Sequence, residues 1–185
     1  MFVPKAVSRG SLRFVPGVLA GLVLLSAAAA QQAPAPDPAP QFGSWQLQCD
    51  PPAGPGKQCA LVQTASPAQN PDLYANVLLI RLDKSRLLLR IIAPLGVLVP
   101  TGVGLNIDGN DVGTTGFTRC HLSGCLADVL VTEALRKSLL AGSSASLTLH
   151  QTPETALDFI FKLDGTGRGL AALPPPPAAR AGTQP

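Results

Sequence analysis

The chain has 185 residues, with 14 Lys and Arg against 11 Asp and Glu, and 4% aromatic residues. That length suits one domain of ordinary size. Lys5, Arg9 and Arg13 sit at the N-terminus and leave 11 basic against 11 acidic residues in the rest; without a Lys/Arg cluster or rings to stack on bases, a nucleic-acid partner is not expected.

The first thirty residues read as a targeting segment. The three basic residues precede residues 14–25, which are apolar apart from Pro16 and two glycines, and Ser26 and four alanines follow. A positive region, a short apolar region and small residues at alternate positions are the grammar of a cleavable secretory signal, with cleavage expected after Ala28 or Ala30. The uninterrupted apolar run falls short of the ~20 residues of a spanning helix, so no transmembrane segment is expected in the mature protein. Residues 31–41 are Gln, Ala and Pro with one Asp, a composition that buries nothing and reads as a linker.

The expected domain occupies residues 42–173. Residues 43–49 alternate, with Trp45, Leu47 and Cys49 on one face, as in a half-buried strand. A Pro/Gly loop at 50–56 leads to a second strand at 57–64 that carries Cys59, Leu61 and Gln63 on one face. After a polar loop at 66–72, residues 75–82 and 86–93 form a hairpin about Asp83-Lys84-Ser85. Their apolar runs are nearly continuous, which fits strands buried on both faces or a helix; Val77, Ile80, Ile91 and Ile92 favour strands. Residues 94–102 are too Pro-rich for a central strand and too apolar for a solvated loop. They are expected to form a tucked-in loop with a very short strand, and to be the part of the surface best suited to contact a partner.

Strands are expected at 103–107 and 112–120 around an Asp108-Gly109 turn, and at 125–131 after Ser123-Gly124. One helix follows, with Thr132 as N-cap, Glu133 in the first turn, an apolar stripe of Leu135, Leu139 and Leu140, and Gly142 as a C-cap with positive φ. Residues 145–151 and 157–163 are strands around Thr152-Pro153-Glu154, 169–173 is a last short strand, and 174–185 is a Pro-rich tail. The total is an all-β domain: a β-sandwich or partly open barrel of about ten short strands with one short helix.

Cys49, Cys59, Cys120 and Cys125 all follow the export signal. An even count there predicts two disulfides. Of three connectivities, Cys49–Cys59 and Cys120–Cys125 are favoured because each pair is near in sequence and flanks turn residues. Each bond would close a hairpin.

Other constellations yield to simpler readings. The four cysteines with His121 have enough ligands for zinc, but neither pair has knuckle spacing and export favours oxidation. Residues 106–111 gather acids and amides without the calcium-loop register or its terminal Glu, and Asp108-Gly109 explains them as a turn. His121 and His150 are the only histidines; a hydrolase built from His150, Ser123 and Asp128 has no sequence context, and Ser143, Ser144 and Ser146 lie in no nucleophile elbow. Gly54-Pro55-Gly56 and the glycines between 165 and 169 lie at no expected strand-to-helix junction, so they do not read as phosphate loops. No catalytic residue, metal or cofactor is expected.

Trp45 and Cys49, Cys59, Pro94-Leu95-Gly96-Val97 with Leu98, Gly102-Val103 with Ile107-Asp108, Phe117, Cys120 and Gly124-Cys125 stand in an order that resembles the invasion-associated locus B family. The resemblance spans residues 42–173. It departs at the end, where Gly169-Leu170 replaces the family's Gly-Phe. It implies an exported, β-rich envelope domain and brings no catalytic residues. The expectation is a non-enzymatic periplasmic or surface protein that binds an envelope or host-surface component, with a periplasmic hydrolase or a metal-binding envelope protein as the alternatives.

Overall fold

The computed structural model describes residues 38–50 and 58–176. The expected signal at 1–30, the linker up to 37, most of the loop at 50–56 and the tail beyond 176 lie outside the described residues.

Two antiparallel sheets face each other and do not close into a barrel. The larger is built from local hairpins. Strands β1 (Gln41–Phe42) and β2 (Trp45–Cys49) turn through Gly43-Ser44, and β3 (Cys59–Ala65), β4 (Ala75–Arg81) and β5 (Leu87–Ala93) follow as a meander. β9 (Gly124–Leu130) then pairs with β5, and β8 (Arg119–His121) forms the far edge against β9. The order is β1-β2-β3-β4-β5-β9-β8. The smaller sheet has the order β11-β10-β6-β7, made of β6 (Val103–Ile107), β7 (Asn110–Thr115), β10 (Ser144–Thr152) and β11 (Thr155–Lys162).

The core lies between the sheets. Strict alternation sends Leu61, Val77, Leu79, Leu89, Ile91 and Ala127 inward from the larger sheet to meet Val103, Leu105, Leu147, Leu149, Phe159 and Phe161 from the smaller one. Trp45 anchors the first hairpin in this core. Antiparallel sheets with one buried face are the usual result of such alternation. The continuous apolar runs of β4 and β5 nonetheless bury one face only: their burial alternates between buried and half-buried positions.

Four expectations are corrected. The strand expected at 112–120 is two strands in different sheets: β7 ends at Thr115 and β8 begins at Arg119, so the chain crosses between sheets over residues 116–118. The loop at 94–102 holds a 3-10 turn, Val99–Thr101, in place of a short strand; Leu98 donates its N–H to the His150 carbonyl, which ties the loop to β10. The strand expected at 169–173 is helical: α2 spans Thr166–Ala172. Its buried residues Thr166, Gly169 and Leu170, with Leu173 beyond its end, recur at helical spacing. Its glycines weaken the helix signal in sequence, and Gly169 is required by packing, since a Cβ there would sit 2.7 Å from Leu61 Cδ1.

The fourth correction concerns the main helix, α1 (Glu133–Ala141). Thr132 caps it as expected, accepting the Leu135 N–H at 3.2 Å, and Leu135 and Leu139 are buried while Leu140 is exposed. Gly142 ends it, but in extended backbone with φ −74°. Glycine is needed there for space: a Cβ would meet Ile107 Cγ2 and the Ser138 carbonyl at 2.8 Å.

Both cystines are cross-strand. Cys49 and Cys59 are register partners in β2 and β3, with Cα atoms 4.0 Å apart, and Cys120 and Cys125 are partners in β8 and β9, 3.9 Å apart. Each therefore closes its own hairpin. Replacing Cys120 and Cys125 together by Ser is expected to cost roughly 2 kcal/mol, the chain-entropy value for so short a loop. The Cys49–Cys59 bond should survive. Peptide mapping of unreduced protein with urea unfolding checks both; a Cys59–Cys120 peptide would overturn the independence of the two hairpins.

Candidate functional site

The two sheets differ in what they turn outward. On the smaller sheet the outer positions of the β10–β11 pair are mostly polar: Ser144, Ser146, Thr148, Asp158 and Lys162, with Thr148 donating to Asp158 at 2.6 Å. That is the ordinary solvated face of an antiparallel sheet.

The larger sheet is the opposite. Its register aligns the outward side chains in three rows. One row is Ala60, Ile80, Leu88 and Leu130; the next is Val62, Leu78, Arg90 and Asp128; the third is Thr64, Asn76, Ile92, Leu126 and Arg119. Eight of these thirteen residues are apolar, and among the described residues no helix or second sheet is laid over them. Leu126 is buried, Leu130 is 57% exposed and the other six are half-buried. This contiguous apolar surface is the candidate site. The apolar alternate positions of β4 and β5 are the signal for it in the sequence, where they read as burial on both faces.

One ion pair interrupts the face. Arg90 donates from Nε and Nη2 to the two carboxylate oxygens of Asp128, at 2.7 and 2.9 Å. Both side chains are about three-quarters buried, at 29% and 25% exposure. The guanidinium hydrogen bonds hold the Asp128 carboxyl below the usual carboxylate range, and Asp128 raises Arg90. Sequence reading did not single out this pair, because cross-strand register brings together residues far apart in the chain.

The face ends in a groove of about 230 Å³ lined by Tyr74, Asn76, Ile92, Pro94, Leu95 and Leu122. Leu122 stands at the tip of the Cys120–Cys125 hairpin and is 99% exposed, beside Tyr74 at 59% and Leu95 at 50%. The cystine holds this turn, and with it the leucine, in place. Of the loop expected to offer the contact surface, Leu95 and Val99 are the exposed large apolar residues, and Gly102 is buried.

The remaining sequence candidates are not brought together. Asp128 lies on the outer face of the larger sheet and His150 on that of the smaller, so they are on opposite sides of the sandwich; Ser123 is in the turn before β9. Asp108 and Gly109 have φ of 48° and 83°, as a two-residue hairpin turn requires. The Asp108 carboxylate accepts the N–H groups of Ser143 and Ser144, both at 2.8 Å, and Asp111 accepts from Gly113. A hollow of about 490 Å³ between this turn and α1 has those engaged carboxylates among its walls. No cluster of three or more potential metal ligands occurs among the described residues. Contrary to expectation, Gly165 is the N-cap of a helix and Gly167 and Gly169 lie within it, but a Cβ on Gly165 would sit 2.1 Å from the Phe42 carbonyl oxygen, which closes that end. No described helix is long and apolar enough to cross a membrane.

Backbone and guanidinium donors hold Asp83, Asp108 and Asp128 below their ordinary titration range. A carboxyl whose folded pKa is depressed adds stability that is present above its unfolded pKa of about 3.9 and is lost as pH falls through the folded value. Urea midpoints should therefore hold from neutrality to about pH 5 and decline below about pH 4. Asp128→Asn should cost about 1 kcal/mol at pH 7 and shallow the acid decline; an unchanged acid limb would remove the pair from this account.

The fold and surface together define a class: a two-sheet antiparallel β-domain, stapled by two local cystines, with one apolar sheet face left open. The sequence profile described as "Invasion associated locus B (IalB) protein" matches residues 45–174, and the chain belongs to that family. Among solved structures, an invasion associated protein b from Bartonella henselae is similar in fold, with a TM-score of 0.61 and 22% identity, covering 73% of this chain and 94% of that one. No curated protein matches the chain.

Proposed function

We propose that this protein is an exported, non-enzymatic binding domain of the periplasm or cell surface, whose partner is an envelope or host-surface component. The observation that carries the reading is the outer face of the seven-stranded sheet, where apolar residues occupy positions that are polar on the other sheet. A soluble domain that keeps such a face open maintains it against its own solubility, which a binding role explains. The Leu122 groove extends the surface and offers exposed apolar anchors. Export is supported by the basic and apolar segments before Ala30 and by the two cystines. The side chains suggested for a hydrolase are spread over opposite faces, which argues for binding over catalysis.

Site-directed photocross-linking in intact cells tests the binding role. A photoreactive residue at Leu88, on the outer face, should yield discrete adducts, and one at Ile160, on the opposite sheet, should yield none. Equal labelling from both, or no adduct from Leu88, would defeat the reading. N-terminal sequencing of the accumulated protein tests export: the first residue should lie between Ala29 and Gln32, and a start at Met1 or Phe2 would overturn it.

A further inference from the structure

We propose that the outer face of the seven-stranded sheet is a self-association surface, on which a second copy of this chain seats its own outer face about a twofold axis. This rests on the binding reading above and names the partner.

The charges on the face allow a second copy to approach. Arg90 and Asp128 lie side by side in the middle row, between apolar residues. A twofold axis along β4, at the centre of the face, lays β5 of one copy over β3 of the other and β9 over β2, so Arg90 meets Val62, Asp128 meets Gln46 and no like charges oppose each other. The bidentate bond also neutralises the pair within each copy, so an approaching face strands no unpaired charge.

The face is also large enough for a specific interface. Five strands from β2 to β9, spaced about 4.8 Å, and up to seven residues of about 3.4 Å give a face roughly 24 Å square. That is roughly 570 Å² per copy and about 1,100 Å² for two, before side-chain relief is added, and it clears the ~1,000 Å² expected of a specific interface. The chemistry is graded as interfaces are: Leu78, Ile80 and Leu88 are central, and Gln46, Gln48 and Thr64 stand toward the rim. Two twisted sheets meeting face to face repeat the packing already present inside the domain.

A lipid surface suits the face less well. An ion pair in the middle row would enter the hydrocarbon, and the 11 basic and 11 acidic residues beyond the N-terminal segment supply no net charge toward anionic headgroups.

Sedimentation equilibrium of the protein, purified in the form it accumulates in cells, should give twice the monomer mass at about 50 µM. Leu78→Asp and Ile80→Lys should each weaken self-association about 100-fold or more, with near-UV circular dichroism unchanged. Should either variant fail to fold, hydroxyl-radical footprinting of the unaltered protein across a concentration series carries the test: Leu78 and Leu88 should lose reactivity as the dimer forms while Ile160 does not. A monomer at about 100 µM overturns the proposal, as does a dimer whose protected residues lie elsewhere. So does a monomer that binds phosphatidylethanolamine–phosphatidylglycerol vesicles and loses this in Ile80→Lys, since the face would then be a lipid contact. Leu88 cross-links only to other proteins would sink the self-association and leave the binding role standing; no Leu88 adduct together with no dimer would sink both.

Discussion

Replacing Gly124 by Ala is expected to destabilise the domain by about 3 kcal/mol or more, well beyond an ordinary glycine substitution. Gly124 opens β9 with φ of 131°, a region that residues with a Cβ seldom adopt. A Cβ there would also lie 2.3 Å from the Ala93 carbonyl oxygen and 3.0 Å from Ile92 Cγ2. Backbone cannot yield as a flexible side chain does, so β5 and β9 would have to separate at the point where Ala93 pairs with Cys125. Gly109→Ala is the control. It too has positive φ, 83°, but nothing lies within 4 Å of its added Cβ. It should cost only about 1 kcal/mol. Equal losses for the two would show that backbone sign, and not the approach to Ala93, sets the cost. The consequence reaches the candidate site, because Gly124 closes the hairpin that presents Leu122 and supports the groove beside Tyr74 and Leu95.

Phe159→Ala should cost about 3–5 kcal/mol, and Ile160→Ala, one residue on, within about 1 kcal/mol. Phe159 is fully buried between the sheets, opposite Leu147 on β10, whereas Ile160 is 57% exposed on the outer face. In a strand these neighbours point to opposite sides, so a one-residue slip would exchange the two costs. Urea unfolding of both variants measures the difference. Similar losses would mean that β11 is registered otherwise, and with it the assignment of outer and inner faces. A loss of about 4 kcal/mol is a large part of the ~5–15 kcal/mol available to a domain, so Phe159→Ala is best read at low temperature.

Much of the local structure was legible because it is governed by neighbours in sequence. Period-two alternation located β2, β3, β6, β10 and β11; Asp83-Lys84-Ser85 and Asp108-Gly109 located turns; Thr132 marked the start of α1. The cystine pairs were legible for the same reason, since each joins the two strands of one hairpin. The family was legible from the order of residues between Trp45 and Cys125, and the matched region, residues 45–174, covers them.

What escaped depends on contacts between distant residues. Residues 169–173 look like strand because glycine hides a helix; Leu61, more than a hundred positions earlier, decides the matter by packing against Gly169. Gly142 looks like a left-handed cap, but Ile107 and Asp108 crowd it, and it is extended. Residues 112–120 read as one strand because the crossing between sheets leaves no break in the pattern. The candidate site belongs to the same group. Val62, Leu78, Leu88 and Asp128 come from four strands, and only register sets them side by side. Periodicity and turn chemistry by themselves located most of the strands and turns, nearness in sequence favoured the two local cystines, and the order of residues that resembles the family carried the family. Only the tertiary structure decided which apolar face became core and which was left open. A continuous apolar strand is equally suited to both, and the choice falls to whatever layer the rest of the chain lays across it.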